Sequence, residues 1–210
     1  MKKLLSTLTI LATLAGAASA APYVLPENQP GAYTVYDWTP VYSVDALYAI
    51  GDENDTPDMW GARLSLNLYS QQRASVRHQF SLNVAYLTGE EKHTMSFGQN
   101  ETYSYKNDMY VLPITFGYDV NLAVTDEVSF YLGGKAGYSI GEAKIKVPGY
   151  GSDKLKTDGF TFTVGGGLKV QCSQQVYVKL GYEFGRTYAD DNGKFNFGQH
   201  IISLGVGCEF

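Results

Sequence analysis

From residue 41 onward, apolar residues fall on every second position. Eight stretches keep this period: 41–50, 59–69, 78–88, 109–121, 128–140, 159–170, 176–186 and 199–210. Alternation of this kind marks strands with two unlike faces, and no stretch carries a helical period. Each is at least as long as the ~9–11 residues that a tilted strand needs to cross a bilayer.

Sorting by parity separates two chemistries. Even positions hold Tyr42, Val44, Ala46, Tyr48 and Ile50 in the first stretch. They hold Trp60, Ala62, Leu64, Leu66 and Leu68 in the second, and His200, Ile202, Leu204, Val206, Cys208 and Phe210 in the last. Odd positions carry Asp45, Arg63, Asp119, Lys135, Lys169, Lys179, Glu183 and Glu209, together with Gly61, Gly117, Gly133, Gly165, Gly181, Gly205 and other glycines. An eight-stranded barrel is only just wide enough to be filled by side chains. The bulky even face does not fit inside, and the small, polar odd face does. The even face therefore meets lipid, where only a closed sheet pairs every backbone group. The predicted fold is all-β: an eight-stranded antiparallel up-and-down transmembrane β-barrel.

The aromatics agree. Tyr48, Trp60, Tyr86, Tyr110, Tyr138, Phe160 and Tyr182 fall at one rim, and Tyr42, Phe80, Phe116, Tyr118, Phe130 and Phe210 toward the other. Two aromatic girdles around an aliphatic belt are the mark of a transmembrane barrel. Connections alternate between long polar loops ("GDENDTPD", "GEEKHTMSFGQNETYSYKN", "GEAKIKVPGYGSDKLKTDG", "TYADDNGKFNF") and shorter turns ("SQQRASVR", "LAVTDE", "QCSQQ"). This matches long extracellular loops and short periplasmic turns. Pro113 interrupts "YVLPITFGYDV", and a bulge is expected where it removes a ladder donor.

The first 20 residues have Lys2 and Lys3, an apolar run, and Ala18-Ser19-Ala20. That is the pattern of a secretory signal peptide, cleaved after Ala20. Removing both lysines shifts the formal charge from −5 to −7. Residues 21–40, with Pro22, Pro26, Pro30 and Pro40, read as an extended periplasmic lead-in, and residues 41–210 as the barrel. Eight strands put both termini in the periplasm, with the barrel in the outer membrane of a diderm bacterium. The acidic balance argues against nucleic acid as a partner. Two cysteines among 210 residues make no disulfide scaffold, and whether Cys172 and Cys208 pair stays open.

"YDWTPVYSVDALYAI" and "VLPITFGYDVNL…VSFYLGGKAGY" resemble the small eight-stranded outer-membrane β-barrel family, the OmpA-like and opacity-type barrel domains. The likeness covers roughly residues 37–210, with Pro40 where glycine is more usual. It implies that Phe210, with Ile202, Leu204, Val206 and Cys208 upstream, is the signal read by the β-barrel assembly machinery. Full-length OmpA-type relatives also carry a peptidoglycan-binding domain, and the chain is expected to end without one.

Four acidic and four basic residues inside a narrow barrel suggest ion pairs that plug the lumen, since buried charges must be paired. The functional expectation is a structural or surface-interaction, adhesin-like protein, monomeric, with no cofactor or metal and no catalytic residue. A narrow pore or a lipid A-modifying enzyme is the alternative. Lipid A deacylases resemble this architecture and use a His-Ser pair, but His200 and Ser203 differ in parity and face opposite sides. His93 falls in an expected loop. Two acidic clusters, Asp52 to Asp58 and Asp190 to Asn192, lack calcium-loop spacing and read as solvated. Lys144, Lys146, Lys154 and Lys156 are placed to touch lipopolysaccharide or water. The surrounding lipid is the expected environment, and any surface ligand is left open.

Overall fold

The computed structural model describes residues 38–52, 56–70, 76–97, 101–147, 151–189 and 196–209. The expected signal peptide, with Ala18 and Ala20, lies outside them, as does most of the lead-in. The strands are β1 (Trp38–Gly51), β2 (Met59–Ser70), β3 (Val76–Phe97), β4 (Glu101–Ala123), β5 (Val128–Val147), β6 (Gly151–Lys156), β7 (Gly159–Gln171), β8 (Val176–Ala189) and β9 (Asn196–Glu209). Each neighbour is antiparallel, and β1 pairs with both β2 and β9, which closes the sheet. β6 and β7 meet β5 in one unbroken register: Glu142 opposes Lys156 and Ser139 opposes Gly159. They form one strand interrupted at Thr157–Asp158, where the Asp158 carboxylate takes the Gly141 N–H at 2.9 Å. Nine segments thus make the eight expected staves.

Every pairing joins residues of equal parity, so each face runs continuously around the barrel. Following partners from Val41 through Asn67, Ser81, Gly117, Lys135, Thr163, Gly185 and Gln199 returns to β1 at Gly51, ten residues along the strand. With ordinary strand spacings, this stagger sets a tilt of about 40°. It also relocates some aromatics. Tyr182 pairs with Gly166 and Ile202, and Phe116 with Leu82 and Ala136, so both rings sit toward mid-belt rather than at opposite rims.

The even face is outward, as the parity argument requires. Leu64 is 61% exposed, Leu132 67%, Leu204 58% and Trp60 66%. Arg186 breaks the rule, because it occupies an even position of β8. Its guanidinium carbon lies 5.7 Å from the Tyr188 ring centroid, so an aromatic neighbour shares the lipid-facing rim with the cation.

The strands run further than the alternation predicts. The stretches "GEEKHTMSFGQNETYSYKN" and "GEAKIKVPGYGSDKLKTDG" are mostly extensions of β3, β4, β5 and β6 rather than loops, and His93 lies in β3. Ladder hydrogen bonds carry these polar residues as strand without any apolar signal. Toward the end where β3–β6 project, the faces exchange chemistry. Even positions become charged (Glu90, Lys92, Lys106, Asp108, Glu142, Lys144, Lys146), while odd Leu87, Met109, Val111 and Ala143 are buried. Water around the projection suits its polar exterior, whereas the apolar interior begins lower, at girdle height, where Leu87 adjoins Tyr86 and Val111 adjoins Tyr110.

Two further expectations are corrected. The chain enters β1 at Trp38, so the lead-in stops short of Pro40. Pro113 causes no bulge: Val84 opposes Ile114 and Leu87 opposes Val111, with no inserted residue. Pairing lapses only between 85–86 and 112–113, the side where proline has no N–H. Pro113 still opposes Ser139 of β5. The turns after β4 and β7 are tight. The Thr125 hydroxyl accepts the Glu127 and Val128 N–H groups, and the Ser173 hydroxyl accepts those of Gln175 and Val176.

Candidate functional site: the closed lumen

The interior has three layers. In the middle layer five of the eight charges predicted from parity converge. Arg63 donates from Nε to Asp45 at 2.8 Å, and its Nη1 lies 2.8 and 2.9 Å from the two oxygens of Glu183. Lys135 Nζ is 2.7 Å from Glu183, and Lys179 Nζ is 2.9 Å from Asp45. Asp45 and Glu183 are 0% and 1% exposed. Register explains the meetings: Asp45 opposes Arg63 directly on β1 and β2, while Glu183 reaches in from β8. The glycines make room. A side chain at Gly205 would strike the Asp45 carboxylate, and one at Gly165 would strike Glu183.

The lower layer forms around Lys169. Its ammonium donates to the Tyr69 hydroxyl at 2.7 Å, to Gln79 Oε1 at 2.6 Å and to Asn121 Oδ1. The rings of Tyr69, Tyr131 and Tyr177 surround it, with centroids 4.9, 5.0 and 5.7 Å away. Lys169 therefore finds neutral oxygens and ring faces rather than the carboxylate expected of it. Gln79 donates on to Asn67 at 2.7 Å, Asn67 to the Ser43 hydroxyl at 3.2 Å, and Lys179 to the same hydroxyl at 3.3 Å. One polar chain thus runs from Lys169 to Lys135. Asp119 is buried but absent from the ion pairs among the described residues. It lines an inner void with Lys135, Lys169 and Lys179. The side chain of Glu209 lies outside the described residues; its backbone opposes Val41.

The upper layer is apolar: Leu47, Ala49, Met59, Ala85, Leu87, Met109, Val111, Ala143, Phe197 and Ile201. An interior that is small and polar throughout is thus the wrong expectation for the end where β3–β6 project. Parity alone cannot reveal which inward residues meet at one height. The tyrosine cage was also missed, although Tyr69, Tyr131 and Tyr177 stand at odd positions where a ring must point inward.

The layers divide the remaining space. A void of about 40 Å³ adjoins the apolar layer, one of about 10 Å³ sits within the polar network, and one of about 90 Å³ opens below Lys169. The middle one holds at most a single water.

The other expected chemistry is dispersed. His200 is partly exposed and Ser203 is fully buried, so no Ser–His pair forms there. His200 Nδ1 lies 2.6 Å from the Tyr182 hydroxyl, and His78 Nδ1 2.6 Å from that of Tyr118. The side chain of His93 lies outside the described residues, as do parts of both acidic clusters. Cys172 and Cys208 are free thiols. Among the described residues no group of His, Cys, Asp and Glu could hold a metal. Of the assembly-signal residues, Ile202, Leu204 and Val206 face outward at 44%, 58% and 39% exposure, Cys208 is half-buried, and Phe210 lies outside the described residues.

The family model for the outer membrane protein β-barrel domain matches residues 8–210. No curated protein matches the chain. Solved structures of similar fold include a major outer membrane protein from Thermus thermophilus, at 11% identity and a TM-score of 0.55, covering 81% of this chain and 99% of that one. Neisserial surface protein A is similar at 14% identity and a TM-score of 0.48, covering 82% and 97%. Ail, the attachment invasion locus protein of Yersinia pestis, is similar at 15% identity and a TM-score of 0.44, also covering 82% and 97%.

Proposed function

Because the chain belongs to the outer membrane protein β-barrel domain family, we infer that it works as a closed barrel of the outer membrane, structural in its body and interactive at its outer surface. The observation that carries this reading is the lumen: a carboxylate–guanidinium–ammonium network shut between a tyrosine cage and an apolar layer. Such a core leaves no water path. Ions would have to displace buried, mutually paired charges, which costs several kcal/mol. The reading assigns the barrel no catalytic step.

The same reading places the projecting β3–β4 hairpin and the β5–β6 hairpin outside the cell, and the short turns after β4 and β7 in the periplasm. The extended hairpins present the surface on which a ligand would act; the buried lumen does not. Assembly relies on the barrel assembly machinery, and the barrel acts as a monomer.

Two experiments test this. Folded protein in planar bilayers should give no steady single-channel current; sustained large conductance would refute the closed lumen. Orientation is read with an impermeant maleimide on intact cells. A Ser152→Cys variant should be labelled through the exposed β6 position, whereas the exposed Cys172 in the turn after β7 should react only after permeabilisation. The opposite pattern would invert the topology.

A further inference from the structure

The sheet that projects beyond the outer girdle carries an unusual arrangement of charge. On its outward face Lys92 opposes Lys106, Lys106 opposes Lys146, and Lys144 opposes Lys154. Lys156 follows on the same face, opposite Glu142. Like charges placed directly across a ladder destabilise a sheet. Three successive oppositions stand on four neighbouring strands of a chain whose formal charge is −5.

The cost is only partly compensated within the protein. Lys106 Nζ lies 2.7 Å from Glu90 and 3.0 Å from Asp108. Lys146 is 2.6 Å from Asp108, and Lys154 is 2.9 Å from Glu142. Three carboxylates thus serve six lysines on this face, and Lys92, Lys144 and Lys156 make no ion pair among the described residues. These three remain available for an external anion.

Position narrows the anion. Lys92 follows Tyr86 along β3, and Lys106 precedes Tyr110 along β4. At the tilt set by the stagger, the lysines stand roughly 10–15 Å beyond the outer aromatic girdle. That height lies above the acyl chains and above phospholipid headgroups. In an outer membrane it is the layer of phosphorylated saccharide. The face is also outward, toward neighbouring lipid, not inward over the barrel mouth.

We propose that the outward face of the β3–β6 projection is a docking surface for the phosphorylated core saccharide of the surrounding outer-leaflet glycolipid. Lys92, Lys144 and Lys156 supply the direct phosphate contacts. Lys106, Lys146 and Lys154 are balanced by Glu90, Asp108 and Glu142, so the three lysines without an ion pair give this face its positive sign. Docking offsets the lysine–lysine repulsion and clamps the projection beside the membrane. The inference rests on the orientation given above, and the maleimide labelling reports any failure of that orientation separately.

The test uses the folded full chain in detergent and purified rough lipopolysaccharide, either phosphorylated or enzymatically dephosphorylated. Wild type should bind the phosphorylated form at least tenfold more tightly, and this preference should collapse between 0.05 and 0.5 M NaCl. The triple variant Lys92→Gln, Lys144→Gln, Lys156→Gln should lose at least tenfold in affinity. Arg77→Gln, which removes an exposed cation near the opposite rim, should change it less than twofold. Equal binding of both forms, or equal loss in the triple variant and Arg77→Gln, would overturn the proposal. Tighter binding of a soluble sulfated polysaccharide than of phosphorylated lipopolysaccharide would also overturn it, by showing a different occupant. If the triple variant fails to fold, Lys92→Gln alone, on the exposed β3 edge of the face, should still lower affinity severalfold; no change would refute the assignment.

Discussion

Replacing Glu183 by glutamine tests the central layer most directly. The substitution keeps the shape and removes one charge from a group that is 1% exposed. In the native barrel Glu183 serves Arg63 and Lys135, while Asp45 serves Arg63 and Lys179. After the change, Lys135 loses its ion partner, and Asp45 is left as the ion-pair partner of Arg63 and Lys179 alone. Removing one partner of a buried pair costs ~3–5 kcal/mol, because the remaining charge stays desolvated. At about 1.4 kcal/mol per factor of ten, the unfolding equilibrium shifts on the order of 10²–10⁴-fold. The assay is urea unfolding of the refolded barrel in lipid vesicles, followed by tryptophan fluorescence. Lys135→Met should be costly in the native background and cheap in the Glu183→Gln background, because Lys135 pairs with no other described carboxylate. Their coupling should exceed about 1 kcal/mol, the range seen for residues in one network. A single-variant loss below about 1 kcal/mol, or simple additivity of the two changes, would refute a lumen held by paired charge.

Leu64→Arg places a cation on the mid-belt face at a residue 61% exposed to lipid; vesicle unfolding should show a loss of ~2–4 kcal/mol, and insertion equal to wild type would contradict the face assignment. Phe197→Ala empties the apolar upper layer at a side chain 1% exposed, and the same assay should show a loss of ~3–5 kcal/mol. Hydrogen bonds from Lys146 and Lys106 hold the Asp108 carboxyl below its ordinary 3.8. A depressed folded value contributes stability above the unfolded one and loses it as pH falls through the folded one. The projecting hairpins should therefore resist protease at pH 5 and become cleavable only below about pH 4. Asp108→Asn should raise sensitivity at pH 5 and so narrow the difference between the two pH values, the Lys106–Glu90 and Lys154–Glu142 pairs remaining; identical acid profiles for variant and wild type would remove the role given to Asp108.

Barrel class was legible because lipid enforces a strict local rule. A transmembrane strand must alternate, and a narrow barrel excludes bulk from its interior. Asp45, Arg63, Lys179 and Glu183 could be assigned to one compartment from parity alone. Pairing within it could not be assigned. Which cation meets which carboxylate depends on the ten-residue stagger, a global property that no single strand carries. Lys169 shows the consequence: a cation expected to meet a carboxylate instead meets Tyr69, Gln79, Asn121 and three ring faces.

The sequence by itself determined the all-β class, the outward-facing residues, the number of staves and most of the inward-facing charges. Each follows from the period of two, which a strand expresses wherever it lies. Tertiary structure alone decided how far the strands extend, the apolar upper layer, the lysine face on β3–β6 and which charges meet inside the barrel. Those depend on what surrounds each segment. Midway along the barrel the odd residues face a polar lumen, and a few residues further along the strands the same parity faces a dry core, because the stagger gathers apolar side chains there. Alternation records that two faces differ. Only the closed, tilted sheet shows which solvent each face meets at each height.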